Sequence, residues 1–294
     1  MNSQYKDGGI QKLKPNTKTY TILISAWSKS RERGSAQRAE QILEKMEALY
    51  MEGDKDVAPN TISYNAVINA WAKSREKVSG ERAEKILEWM EKLHTEGNQN
   101  VKPDTISYNA VINAWSKCNA EGSVHKAEQI LEKMEKDKYL EPDTISYGAV
   151  INTWSKSGEK KSGQRAEQIL EKMEVLYGEG NKSVKPNTIT YNAVISAWAR
   201  SGEKQSGQKA ERLLEQMEKR YMEGETRVKP DKISYSSCID AWAKSWEKGS
   251  VQRAENILKK MEKLHKEGDN DVIPDTISYS TVIDGGSDDV IVSI

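Results

Sequence analysis

The hydrophobic positions of this chain fall into two alternating helical patterns. In residues 61–74 (TISYNAVINAWAKS), Tyr64, Val67, Ile68 and Trp71 come onto one face at about 100° per residue. Asn65, Asn69 and Lys73 lie opposite, with Ile62 beside them, and Ala66 and Ala70 sit between, small enough for a close helix neighbour. Pro59, Asn60 and Thr61 stop the preceding segment and supply a cap. A second pattern starts at Ser79, which reads as an N-cap, and carries Ala83, Ile86, Leu87, Met90 and Leu93 as its stripe. Its other face is rich in Glu and Lys three and four apart, as a solvated face would be. A polar, glycine-containing link such as residues 96–103 closes it. Strand-like alternation is missing, so the pattern predicts paired helices.

The pair recurs. Pro15, Pro59, Pro103, Pro142, Pro186, Pro230 and Pro274 are spaced 44, 44, 39, 44, 44 and 44 residues apart. A tyrosine follows each by five residues, and a tryptophan follows each of the first six by twelve. Such periodicity predicts an all-α solenoid of helix-turn-helix repeats, six full units plus a truncated seventh. One pair cannot bury its stripe alone, so stability must come from stacking. The expected organisation is a leader at 1–14, a repeat array at 15–284 and a tail at 285–294, with the short seventh unit suggesting a fragment of a longer chain.

Composition narrows the function. The 294 residues hold 45 basic and 45 acidic side chains, which excludes a uniformly basic nucleic-acid binder. Only 36% of residues are hydrophobic and 31% are charged, which suits an elongated molecule. Apolar runs are too short to span a membrane. Cys118 and Cys238 form neither a disulfide framework nor a metal-spaced cluster, which points to a reducing compartment. His94, His125 and His265 are isolated, and no phosphate loop, nucleophile elbow or paired-carboxylate site stands out, so no catalysis, cofactor, metal or small-molecule substrate is expected. Residues 1–14 resemble neither a signal nor a transit peptide.

Charge is unevenly placed. The six first-helix segments hold eight basic residues and a single acid, Asp240, leaving the rest of the chain net acidic. A basic stripe beside amide side chains suits a single-stranded phosphate backbone, whereas the acidic outer face leaves protein partners as a second reading.

The runs PNTISYNAVINAWAK and AEKILEWME resemble the pentatricopeptide repeat, in units longer than the family's usual length. About three extra residues separate the helices and about six more precede the next proline, except in the third repeat. The resemblance implies a right-handed superhelix that binds single-stranded RNA at one base per repeat. It also implies a mitochondrial or plastid location and a role in RNA processing, stability or translation. By resemblance, the residue after each Tyr and the one after the next Pro read one base edge together. These pairs are Thr21 with Asn60, Asn65 with Asp104, Asn109 with Asp143, Gly148 with Asn187, Asn192 with Asp231, and Ser236 with Asp275. Taken 5′ to 3′ they imply A-U-U-purine-U-G. Ile62, Ile106, Ile145, Ile189 and Ile233 would sandwich bases, with Lys18 departing from the pattern in the first repeat.

Plainer roles compete with these. Asn and Asp after proline are ordinary helix N-caps. The isoleucines fit a half-buried core edge as well as a base clamp. Lys29, Lys73, Lys117, Lys156, Arg200 and Lys244, nine after each Tyr, either complement helix macrodipoles or meet phosphates. Two readings stand beside RNA binding: a peptide-binding scaffold, and the recognition arm of a longer RNA-processing enzyme.

Overall fold

The computed structural model describes residues 14–30, 32–118, 120–245, 247–276 and 278–282. The leader through residue 13, the end of the array at 283–284 and the tail lie outside the described residues. Two compact units divide the chain after Glu141. The first contains α1 (Thr17–Lys29), α2 (Ser35–Met51), α3 (Thr61–Ser74), α4 (Ser79–Thr95), α5 (Thr105–Trp115) and α6 (Ser123–Lys136). The second contains α7 (Thr144–Ser157), α8 (Ser162–Gly178), α9 (Thr188–Ser201), α10 (Ser206–Met222), α11 (Lys232–Ala243) and α12 (Ser250–Lys266). Odd-numbered helices are the first of each repeat, even-numbered the second. The described residues contain no strand.

Every first helix starts the same way. Asn16, Asn60, Asp104, Asp143, Asn187 and Asp231 are N-caps, each closing a capping box with a Ser or Thr three residues on. At α3, Asn60 Oδ1 accepts from the Ser63 amide at 3.0 Å while Ser63 Oγ accepts from the Asn60 amide at 2.8 Å. Two orphan donors are satisfied reciprocally.

The second helices begin differently from the sequence expectation. Ser79 is the first helical residue, not the cap, and its hydroxyl pairs with Ser74 Oγ at 2.8 Å across the hairpin. The cap position is instead left-handed in most repeats: Gly34, Gly122 and Gly249, but also Lys161 at φ 68° and Gln205 at φ 65°. A side chain there crowds its own carbonyl by roughly 1–2 kcal/mol. Gln205→Gly is therefore expected to raise stability by about 1 kcal/mol, read from the urea midpoint.

Within each unit the first helices lie side by side, and α3, α5, α9 and α11 are each flanked by their own second helix and that of the preceding repeat. The central ones are consequently buried almost all round. Tyr64, Val67, Ile68, Ala70 and Trp71 are at most 2% exposed, and Asn65, expected on a polar face, is buried with them.

The extra residues before each proline are core elements and not passive links. They extend the second helix to 17 residues in every repeat but the third. They then turn back so that Val57, Val101, Val184, Val228 and Val272 become buried. A fully buried valine contributes roughly 1.5–3 kcal/mol, so each insertion carries its own anchor. The third repeat lacks the anchor, and its second helix ends after 14 residues.

The Glu-rich face is also less solvated than its pattern suggests. Glu40, Glu84 and Glu211 accept from the indole N–H of Trp71, Trp115 and Trp242 in the next repeat, at 2.9–3.2 Å. Glu47 and Glu174 accept from Tyr64 and Tyr191; Glu91 and Glu218 accept from Tyr108 and Tyr235 at 2.6 and 2.7 Å. Burial and the facing carboxylates push these four phenols well above their ordinary range. Cations on the following second helix join the same carboxylates, including Lys126 with Glu84, Lys133 with Glu91 and Lys260 with Glu218. These acids stitch neighbouring repeats together.

Burial raises the Glu40 carboxyl above its ordinary 4.5, against the pull of Arg82 and Trp71. Folding then takes up a proton just above pH 4.5, so this site's contribution to stability rises as pH falls through the raised value. Glu40→Gln keeps an acceptor for Trp71 and is expected to remove that contribution, measured from denaturation midpoints across about pH 4–6.

Candidate nucleic-acid interface

Within each unit, the stacking of α3 on α5 and of α9 on α11 brings the residue after a Tyr against the N-cap of the next repeat. In the first unit Asn65 Nδ2 donates to Asp104 Oδ1 at 3.2 Å; in the second, Asn192 Nδ2 donates to Asp231 Oδ1 at 2.9 Å. The capping and base-edge roles are therefore not exclusive. Asp104 Oδ1 also accepts from the Ser107 amide and hydroxyl, both at 2.9 Å, whereas Oδ2 has no partner among the described residues. Asp231 divides its oxygens likewise: Oδ1 accepts from Asn192, Ile233 and Ser234. Asn60 and Asn187 cap through Oδ1 as well, leaving an Nδ2 donor in the place of a carboxylate acceptor.

The two asparagines differ in their second group. Asn192 Oδ1 accepts from Ser234 Oγ at 2.6 Å, while Asn65 Oδ1 is buried and has no partner among the described residues. An amide oxygen in that state loses about 1–3 kcal/mol relative to one with a donor. Thr21 Oγ1 turns back to the Thr17 carbonyl at 2.8 Å. Ser236 Oγ donates to the Lys232 carbonyl at 2.7 Å and lies 3.1 Å from Ser278 Oγ, beside the cap residue Asp275. Gly148 is not forced by packing: an added Cβ would meet only Thr190 Cγ2, at an ordinary 3.5 Å. Asn109 ends the row in the first unit, and Asp143 starts that of the second.

The isoleucines are not a core edge. Ile62, Ile106, Ile145, Ile189 and Ile233 are 53–76% exposed, although the residue that follows each is buried. In the first unit, Ile62 and Ile106 line a groove of about 750 Å³ with Lys29, Asn65, Lys73 and Asp104. An adjoining groove of about 640 Å³ holds Thr21, Lys18, Lys29, Asn60 and Ile62. Apolar flanks, a paired amide and carboxylate, and cations thus share one concave surface.

Lys29, Lys73, Lys156, Arg200 and Lys244 are exposed and Lys117 is half-buried. Arg200 reaches the Ser155 carbonyl at 3.2 Å, and Lys244 sits 2.8 Å from the Asp240 carboxylate.

Two participants were missed in the sequence. Lys102 also lines the larger groove. Its backbone is fixed by Thr61, whose hydroxyl donates to the Lys102 carbonyl at 2.9 Å and accepts from its amide at 3.0 Å. Thr144 holds Lys185 in the same manner. The available signal was the threonine two after most prolines, which the cap alone does not require.

Among the described residues no group of His, Cys, Asp and Glu could hold a metal, and no helix is long and apolar enough to cross a membrane.

Residues 6–74, 52–117, 85–157, 156–199 and 174–245 match the family model of the pentatricopeptide repeat domain. The chain is similar in structure to the pentatricopeptide repeat protein PPR10 in complex with an 18-nt psaJ RNA element, with a TM-score of 0.50 and 20% identity. A cysteine-to-serine variant of that protein, bound to the same RNA element, gives the same values. The match covers 94% of this chain but only 38% of either PPR10 chain. Among curated proteins none matches the sequence.

Proposed function

This chain belongs to the pentatricopeptide repeat family, and from that premise we propose that it binds single-stranded RNA without catalysis, reading one base per repeat. The observation that carries the reading is the Asn–Asp pair bridging consecutive repeats between exposed isoleucines. The pair keeps one acceptor oxygen of the cap free, and that oxygen suits the imino N–H of uracil or guanine. An Asn cap offers a donor instead, which suits the unprotonated ring nitrogen of adenine. The isoleucines clamp the base faces, and the row of cations nine after the tyrosines attracts the phosphate backbone. The preferred strand is AUUAUG or AUUGUG, with the first repeat at the 5′ end. RNA processing, stability or translation in a mitochondrion or plastid is the setting this family suggests.

Fluorescence anisotropy with labelled AUUAUG and its DNA counterpart at two salt concentrations tests the proposal. Binding of the RNA that weakens with salt is expected, with a slope of log K on log salt no steeper than roughly −4 for six phosphates. Absence of binding at low salt overturns the proposal and leaves a peptide-binding scaffold.

A further inference from the structure

Asp240 breaks the charge pattern of the first helices. Its counterparts ten residues after the five preceding prolines are Ser25, Asn69, Asn113, Asn152 and Ser196, all uncharged; the partial seventh repeat carries Asp284, outside the described residues. Asn69 lines the larger groove beside Lys73 and spends its amide on the Asn65 carbonyl at 2.9 Å. A carboxylate has no proton to donate to that carbonyl, so it turns one helical turn onward. There it meets Lys244, at 2.8 Å, in the position that corresponds to Lys73. The pair is exposed, 31% at Asp240 and 56% at Lys244, so its attraction is modest. Its effect on an incoming anion is larger. A phosphate reaching Lys244 also approaches the carboxylate, and the cation presented by the sixth repeat is locally neutral.

We infer that Asp240 is an affinity-limiting residue, cancelling the phosphate contact that Lys244 would otherwise make. The inference rests on the RNA-binding reading above and goes beyond it. The sixth base, read by Ser236 and Asp275, is then held by base contacts alone.

The experiment measures AUUAUG binding by anisotropy between about 50 and 200 mM salt for the full chain, Asp240→Asn, Lys244→Ala and the double variant. Asparagine is native at three equivalent positions, so the fold tolerates it. Asp240→Asn is expected to steepen the slope of log K on log salt by about 0.7, so that the affinity ratio across that range grows about 2.6-fold. Lys244→Ala alone is expected to change the slope little, and in its background Asp240→Asn is expected to lose its effect. Equal slopes for the full chain and Asp240→Asn overturn this inference while leaving RNA binding intact. A steepening that persists without Lys244 overturns it too, since the carboxylate would then act through another cation. If neither protein binds RNA, the inference falls together with the function it rests on.

Discussion

Trp71→Ala is expected to lower stability by about 3–5 kcal/mol, the usual cost of emptying a large aromatic site. Trp71 is 1% exposed at the meeting of α3 with α2 and α4, and its N–H supplies a hydrogen bond to Glu40. Alanine leaves a cavity and takes a donor from a half-buried carboxylate that, among the described residues, keeps Arg82 at 3.6 Å. Because stability in an array is carried by nearest-neighbour interfaces, the damage should fall on the first unit and broaden the unfolding transition. Urea denaturation followed by helical circular dichroism measures it. A loss below about 1 kcal/mol would mean that neighbouring side chains collapse into the site.

Asn65→Ser is expected to change recognition without comparable harm to the fold. Serine is native at the equivalent position 236. The shorter side chain gives up the amide bond to Asp104 and exchanges two polar groups for one hydroxyl, which leaves room for a purine. Preference at the second base should move from uracil toward guanine by about tenfold, the worth of one well-placed hydrogen bond. The measurement is the ratio of affinities for AUUAUG and AGUAUG, before and after substitution. An unchanged ratio would reduce the Asn65–Asp104 pair to a packing device.

Much of this was legible in the sequence because the repeat supplied its own internal comparison. The α3 boundaries, Thr61–Ser74, follow from proline, cap and period. The burial of Tyr64 and Trp71 follows from their helical spacing. Asn65 was harder, because helical phase records direction but not which directions are covered: α3 has a neighbour on the side where a lone amphipathic helix would meet water. The glutamates misled for a related reason. Their spacing toward lysines within one helix is real, yet their stronger partners are the Tyr and Trp of the next repeat. Close approaches were also hidden. An added Cβ at Gly207 would lie 2.5 Å from the Trp242 ring, which explains a glycine inside a helix that propensity alone disfavours. The inserted residues looked like surface link because in most repeats a single valine among them is apolar, and that valine is the anchor.

The measurement that tests the account most directly compares AUUAUG and AUUGUG with strands of the same composition in scrambled order. The chain is predicted to bind one of the two ordered strands at least tenfold more tightly than its scrambled partner, since several bases would lose matched hydrogen bonds at once. Equal affinity for ordered and scrambled strands would contradict base reading by the Asn–Asp row, and leave a basic groove that holds RNA by its phosphates alone.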